Sequence, residues 1–215
     1  MNVHRLAPIE LRVLGCLIEK QRTTPEQYPL TLNALRIACN QATNREPVLE
    51  LDESQVRAAA QHLGTLGWAR LATGPGSRTA KYRQLFGEAL DLLPSEVSIL
   101  GVLMLRGPQT VAELKTRTER LYHFGSNEDV TQTLSRLDEK ELVHLLPKQP
   151  GQREERWTHL LADSPTEEPP PQDDLPELVA AKPVAATSVE RRLAQLEQRL
   201  GELERLLAER GLLDS

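Results

Sequence analysis

Aromatic side chains are scarce, at 3% of the 215 residues. A core built from this chain must come mainly from Leu, Val and Ala. Only two cysteines are present, Cys16 and Cys39. They share no metal-type spacing and fall among apolar helical positions, the pattern of reduced, buried thiols in a cytoplasmic protein. A disulfide between them is the less favoured alternative. No apolar run approaches the ~20 residues of a membrane span, so no membrane partner is expected. The opening residues, Met1 to Pro8, lack the apolar stretch of a secretion signal.

Groups that do chemistry are equally thin. The five histidines, His4, His62, His123, His144 and His159, are scattered. None has a Cys, His or carboxylate at ligand spacing on its own helix face, so no metal is expected. Gly74-Pro75-Gly76 is not followed by the Lys-Ser/Thr pair of a phosphate loop. Neither cysteine has a basic neighbour in sequence to activate it. No catalytic residue, no cofactor and no enzymatic role is expected.

An excess of positive charge is missing too. The net charge is −5. Residues 1–161 hold 20 Lys and Arg against 19 Asp and Glu, and residues 162–215 hold 6 against 12. The acidity therefore lies in the tail. Nucleic-acid-binding domains are usually more basic than the front of this chain.

What the chain does have is a repeat. Pro8, Glu10, Leu14, Gly15 and Leu17 recur as Pro94, Glu96, Leu100, Gly101 and Leu103, while Leu11 and Val13 return as Val97 and Ile99. A period of 86 residues suits a small domain rather than a solenoid unit. In the first unit, Pro8 opens a helix at about 8–21, with Leu11, Leu14 and Ile18 as its stripe. Prolines bracket Thr23 to Pro29, so that segment is not helical throughout. Thr31 caps a second helix at about 31–40. Asp52 and Gln55 form a capping-box pair before a third helix with Val56, Ala59, Ala60, Leu63 and Leu66 inward and Gly67 at its end. Trp68 to Leu71 and Thr79 to Leu85, around Gly74-Pro75-Gly76, read as a β-hairpin.

The second unit repeats that order. A helix at about 95–105 ends at Arg106-Gly107-Pro108. Thr110 and Glu113 form a T-x-x-E box for a helix at about 111–117. Ser126 or Asn127 caps a third helix with Val130, Thr133, Leu134 and Leu137 inward. Leu142 to Leu146 and Arg156 to Leu160 form a second hairpin across a Pro147–Gln152 turn. Tyr82 and Trp157 match in the two hairpins, as do Leu85 and Leu160. The expected fold is mainly α with small β-hairpin wings (α+β): winged-helix domains over 1–92 and 93–161.

Residues 162–187, with six prolines among acids and small residues, read as a Pro-rich acidic linker. In residues 188–213 an a/d seam runs through Val189, Leu193, Leu196, Leu200, Leu203 and Leu207. Arg192 and Arg199 at g face Glu197 and Glu204 at e of a parallel copy, so a homodimer through a coiled coil is expected. The alternative is an amphipathic helix that folds back on its own domains.

Further stretches carry a family pattern. These are Cys16 to Lys20, Thr23 to Leu30, Leu32 to Leu35, Ala38 to Gln41, Asn44 to Val48, Gly76 to Arg78 with Lys81-Tyr82, Leu105 to Thr110 and Arg117 to Arg120. On them the chain resembles the YceH-like family of bacterial proteins over residues 6–161. The resemblance implies a tandem winged-helix fold and supplies no catalytic residues.

The leading expectation is a DNA-binding protein, a dimeric transcriptional regulator with the first unit on DNA. Gln55, Arg57, Gln61 and His62 lie opposite the apolar face of the third helix, where a winged helix meets the major groove. Arg78, Lys81 and Arg83 on the hairpin are placed for phosphates. The bland alternative is a solvated helix face and a charged hairpin edge. The second unit's third helix carries Glu128, Asp129, Asp138 and Glu139, which repel phosphates. Asn33, Asn40, Asn44 and Arg45 read first as loop-locking residues. Arg117 and Arg120 read as an anion site or as partners of nearby acids. The alternative function is a protein-interaction scaffold without direct DNA readout.

Overall fold

Pro8 and Pro94 each start a helix at a position where a missing N–H costs nothing. Three residues into each helix a carboxylate folds back on the chain. Glu10 Oε2 accepts the Ala7 N–H at 2.8 Å, and Glu96 Oε2 accepts the Leu93 N–H at 2.8 Å. The repeated Pro-x-Glu is therefore a helix start written twice. The computed structural model describes residues 4–72, 80–148 and 151–162. Within them the fold is mixed α+β, with helices and small antiparallel sheets.

The first half runs α1 (Pro8–Thr23), β1 (Leu30–Thr31), α2 (Leu32–Cys39), α3 (Glu53–Thr65), β2 (Ala69–Ala72) and β3 (Lys81–Gln84), with α4 (Phe86–Ala89) as a connector. The second runs α5 (Pro94–Arg106), α6 (Val111–Thr118), α7 (Asn127–Glu139), β4 (Val143–Leu146) and β5 (Arg156–His159). A short 3-10 turn, Pro25–Gln27, fills the proline-bracketed segment. The peptide bonds before Pro29 and Pro47 are cis.

The correspondence reaches individual bonds. Thr31 caps α2 through the Ala34 N–H and Thr110 caps α6 through the Glu113 N–H, both at 3.2 Å. Leu30 pairs with Tyr82 across β1 and β3, and Gln109 exchanges backbone bonds with Trp157 in the same way. Leu85 N–H donates to Trp68 O at 2.7 Å, and Leu160 N–H donates to Leu142 O at 2.9 Å. Gly67 ends α3 at φ +74°, and Glu141 takes the equivalent place at φ +58°.

Some elements differ from the sequence reading. β1 makes a third strand beside the first hairpin, and α4 adds one turn after it. Both are too short to show a periodicity. The stripe expected on α1 is in fact burial on all sides, from Leu11 through Glu19. α5 is likewise buried from Ser95 through Leu105. The cause is that α1 packs on α3 of its own half and on α5 of the other, and a helix covered all round has no polar stripe. One apolar cluster runs through both halves.

The repeated glycines mark where α1 and α5 approach. A Cβ on Gly15 would sit 2.9 Å from Leu105 side-chain atoms, and one on Gly101 would sit 2.8 Å from Ile18 Cγ2. The contact is thus nearly symmetric between the helices. The chain start also clips to the end of the second hairpin, with Leu6 N–H donating to Leu161 O at 2.7 Å and Arg5 to Ala162 O at 3.1 Å. No helix of the described residues is long and apolar enough to cross a membrane.

Candidate nucleic-acid interface

In an antiparallel pair, directly opposed residues project from the same face. The register sets Ala69 opposite Gln84, Arg70 opposite Arg83, Leu71 opposite Tyr82 and Ala72 opposite Lys81. Ala69, Gln84 and Tyr82 are buried, so their face packs inward. Arg70, Arg83 and Lys81 therefore share the outer face. Two arginines directly opposed repel one another. Arg83 is partly relieved by Glu88, an exposed carboxylate at 2.9 Å. Arg70 and Lys81 form no ion pair with a described carboxylate. Arg70 was not among the residues singled out from sequence. It joins them only through the register, which places residue 70 across from residue 83.

α3 lies beside this sheet, and its expected outward residues are indeed exposed. Most of them already hold partners. Gln55 Oε1 accepts the Asp52 N–H at 3.0 Å while Asp52 Oδ1 accepts the Gln55 N–H at 2.9 Å, the reciprocal capping box. Arg57 donates to Glu53 at 2.6 Å. His62 Nδ1 lies 2.6 Å from Glu10 Oε1, which ties α3 to α1. Gln61 is exposed and makes no hydrogen bond to a described residue. The tie has a counterpart in the second half, where Glu96 meets Arg136 of α7 at 3.6 Å and Lys140, just past the end of α7, at 3.0 Å. Arg78 lies outside the described residues, as do Leu193, Leu196, Leu200, Leu203 and Leu207 with the whole of 163–215.

The loop that leads into α3 is held by buried charge. Arg45, with a fully buried side chain, donates to both Glu19 oxygens at 3.1 and 2.6 Å. Its Nε donates to Ala38 O at 3.1 Å and its Nη1 to Asn44 O at 2.9 Å. Arg12, also buried, donates to Cys39 O at 3.0 Å and to Pro47 O. Asn40 closes the loop by donating to Leu51 O at 2.8 Å and accepting Leu51 N–H at 2.9 Å. Asp52, the α3 cap, follows directly. Asn33 accepts from Arg36 at 3.1 Å and Asn44 Oδ1 accepts from Arg106. Cys16 and Cys39 are free and buried nearby. Among the described residues no cluster of three or more His, Cys, Asp or Glu is arranged to hold a metal ion.

The second half presents a different surface. On α7, Glu128, Asp129, Asp138 and Glu139 are all exposed. Arg156 of β5 turns back to Glu113 at 2.9 Å. Arg117 pairs with Gln109 and with Glu113 rather than with the acids beside Tyr122.

Sequence comparison gives the class to which this architecture belongs. A family model described as a protein of unknown function, DUF480, matches residues 6–152, and the chain belongs to that family. Its relatives carry the name UPF0502 protein. One from Azotobacter vinelandii is 49% identical over 178 residues, covering 83% of this chain and 75% of the relative. One from Pseudomonas savastanoi pv. phaseolicola is 49% identical over 173 residues, covering 80% and 74%. One from Pseudomonas syringae pv. tomato is 44% identical over 200 residues, covering 90% and 86%. The YceH-like resemblance read from the residues agrees with this family.

Proposed function

We propose that the chain is a DNA-binding protein of two tandem winged helices, acting as a dimeric transcriptional regulator, with the first half on DNA. The observation that carries the reading is the outer face of the first sheet, which Arg70, Lys81 and Arg83 share and where, among the described residues, Glu88 is the carboxylate paired with one of them. Two opposed arginines are costly in an isolated hairpin. They become favourable when a phosphate lies between them, because guanidinium and phosphate bond bidentately. Beside this face, α3 exposes a neutral polar surface rather than a basic one. That arrangement suits a hairpin that anchors on phosphates and a helix that adds few base contacts of its own.

The bonds already made by Gln55, Arg57 and His62 leave Gln61 as the freest candidate for a base edge. Dimerisation in this reading falls to the heptads at 188–213.

The test is fluorescence anisotropy of the full chain against a mixed duplex pool at two salt concentrations. Binding that weakens steeply with salt is expected. Changing Arg70, Lys81 and Arg83 together to Ala should lower affinity by an order of magnitude or more and flatten the salt slope by roughly 0.9 per lost phosphate contact. Unchanged binding in the triple variant overturns the reading.

A second reading, a protein-interaction scaffold, draws on the acidic outer face of α7. Those carboxylates repel phosphates and suit a partner of opposite charge. Capture of a stoichiometric partner that survives nuclease treatment, with no duplex binding at low salt, would favour it.

A further inference from the structure

Three arginines converge on the turn that ends α5. Arg106 is the last residue of that helix, and its guanidinium donates across the seam to Asn44 Oδ1 in the first half. Arg117 of α6 donates to Gln109 Oε1. The Gln109 Nε2 group donates in turn to Arg106 O at 3.1 Å, Gly107 O at 3.3 Å and Pro108 O at 2.9 Å. Arg156 donates to Pro108 O and to Glu113 Oε2, each at 2.9 Å. Glu113 also lies 3.5 Å from Arg117, so one carboxylate serves two of the three arginines.

Arg106 is the exception. Among the described residues no carboxylate forms an ion pair with it, although the residue is half-buried. Its strongest contact is a neutral amide. Burial, with Arg117 as the next cause, makes its charged state less favourable than usual, while Glu19 and Glu46 act more weakly in the other direction. Neighbouring guanidinium groups of this kind are relieved when an anion joins them. A phosphoryl group does so with two bidentate sets of hydrogen bonds. Seams between packed halves are also where small ligands commonly bind.

We propose that Arg106 and Arg117 form a binding site for a phosphate-class oxyanion at the seam between the two halves, where Arg106 bonds Asn44 and Arg117 bonds Gln109. Neither the hairpin cations nor the outward residues of α3 take part in it. Its consequence reaches α3 through the chain. Asn44 has φ +61° and its backbone O accepts from Arg45, the buried anchor of the loop that ends at the Asp52 cap. An anion that draws Arg106 away from Asn44 releases one of the bonds that fix this loop. This coupling, unlike the site itself, rests on the DNA-binding reading.

The experiment is calorimetric titration of the full chain with inorganic phosphate and, in a second arm, with ATP. Saturable binding is expected in at least one arm. Tighter phosphate binding assigns a free oxyanion, and tighter ATP binding assigns a nucleotide. Arg106→Gln should weaken it by about tenfold or more, and Arg106→Lys by much less, because it keeps the charge. Thermal melting of both variants checks that the fold is intact, and duplex binding is measured alongside. Lost phosphate binding with duplex binding intact supports the site whatever becomes of the DNA reading. No saturable binding up to ~10 mM in either arm overturns the proposal. So does an Arg106→Gln variant that binds as the parent does, or one that loses duplex binding alone.

Discussion

Gly101 has no room for a side chain. A methyl group there would meet Ile18 at 2.8 Å inside a packed helix pair. Gly101→Ala should therefore lower stability by about 1–3 kcal/mol in urea unfolding, although alanine is the better helix former. A gain in stability would show that the α1–α5 contact is looser than described. His159 is the other residue whose setting makes a sharp prediction. It is buried on β5, and its Nδ1 accepts the Leu161 N–H at 3.3 Å, which requires that nitrogen to be unprotonated. Burial pulls its pKa from histidine's ordinary 6.5 to about 4. The unfolded chain therefore binds a proton more readily than the folded one between those values. The contribution of His159 is fully present above pH 6.5 and is lost as pH falls towards 4, amounting to about 3 kcal/mol at most. Stability measured across that window should fall with acid more steeply in the parent chain than in His159→Gln.

At the scale of elements, the loop before α3 shows how buried charge places a surface. Arg45 and Glu19 have left water together, and their mutual bonds offset that loss. Arg45→Ala should cost about 3–5 kcal/mol, because the largely buried Glu19 carboxylate then loses its bidentate partner and keeps only Lys20, at 3.7 Å. Replacing both at once, by Arg45→Met with Glu19→Leu, should recover most of that loss. Denaturant unfolding of the two variants gives the comparison, and equal loss in both would mean that the ion pair does more than cancel its own desolvation. Helix starts were legible beforehand because capping is local. Asp52 with Gln55, Thr110 with Glu113 and Thr31 are caps in the structure as in the reading. β1 and α4 were not legible, since two and four residues are held by neighbours rather than by their own pattern. The hairpin face was half legible. Lys81 and Arg83 alternate visibly along one strand, whereas Arg70 joins them only through the register between strands.

Across the whole molecule, the two halves are joined by the α1–α5 contact, by one continuous apolar cluster and by the clip between Leu6 and Leu161. Their element order and several caps and backbone bonds match, yet their outer surfaces diverge. The first half shows cations on its sheet and a neutral α3, and the second shows carboxylates on α7. Core residues answer to packing and exposed residues answer to what they meet, so a repeated core leaves its two surfaces free to diverge. The heptads at 188–213 lie outside the described residues. Sedimentation should find the full chain dimeric and a chain ending at residue 162 monomeric. An unchanged state in the shorter chain would remove the coiled coil from the proposal.

The repeat, the helix starts, the caps and the inward faces of α3 and α7 were determined by the sequence itself. Each depends on residues within a few positions of one another, or on a periodicity that burial imposes. Only the tertiary structure decided which polar residues remain free to act. Gln55, Arg57 and His62 carry the right chemistry, yet a cap, Glu53 and Glu10 occupy them. Arg70 and Arg106 carry no local signal, yet one stands opposite Arg83 and the other reaches Asn44 across the seam. Hydrogen bonds and ion pairs act over about 3 Å of space, whatever the separation along the chain.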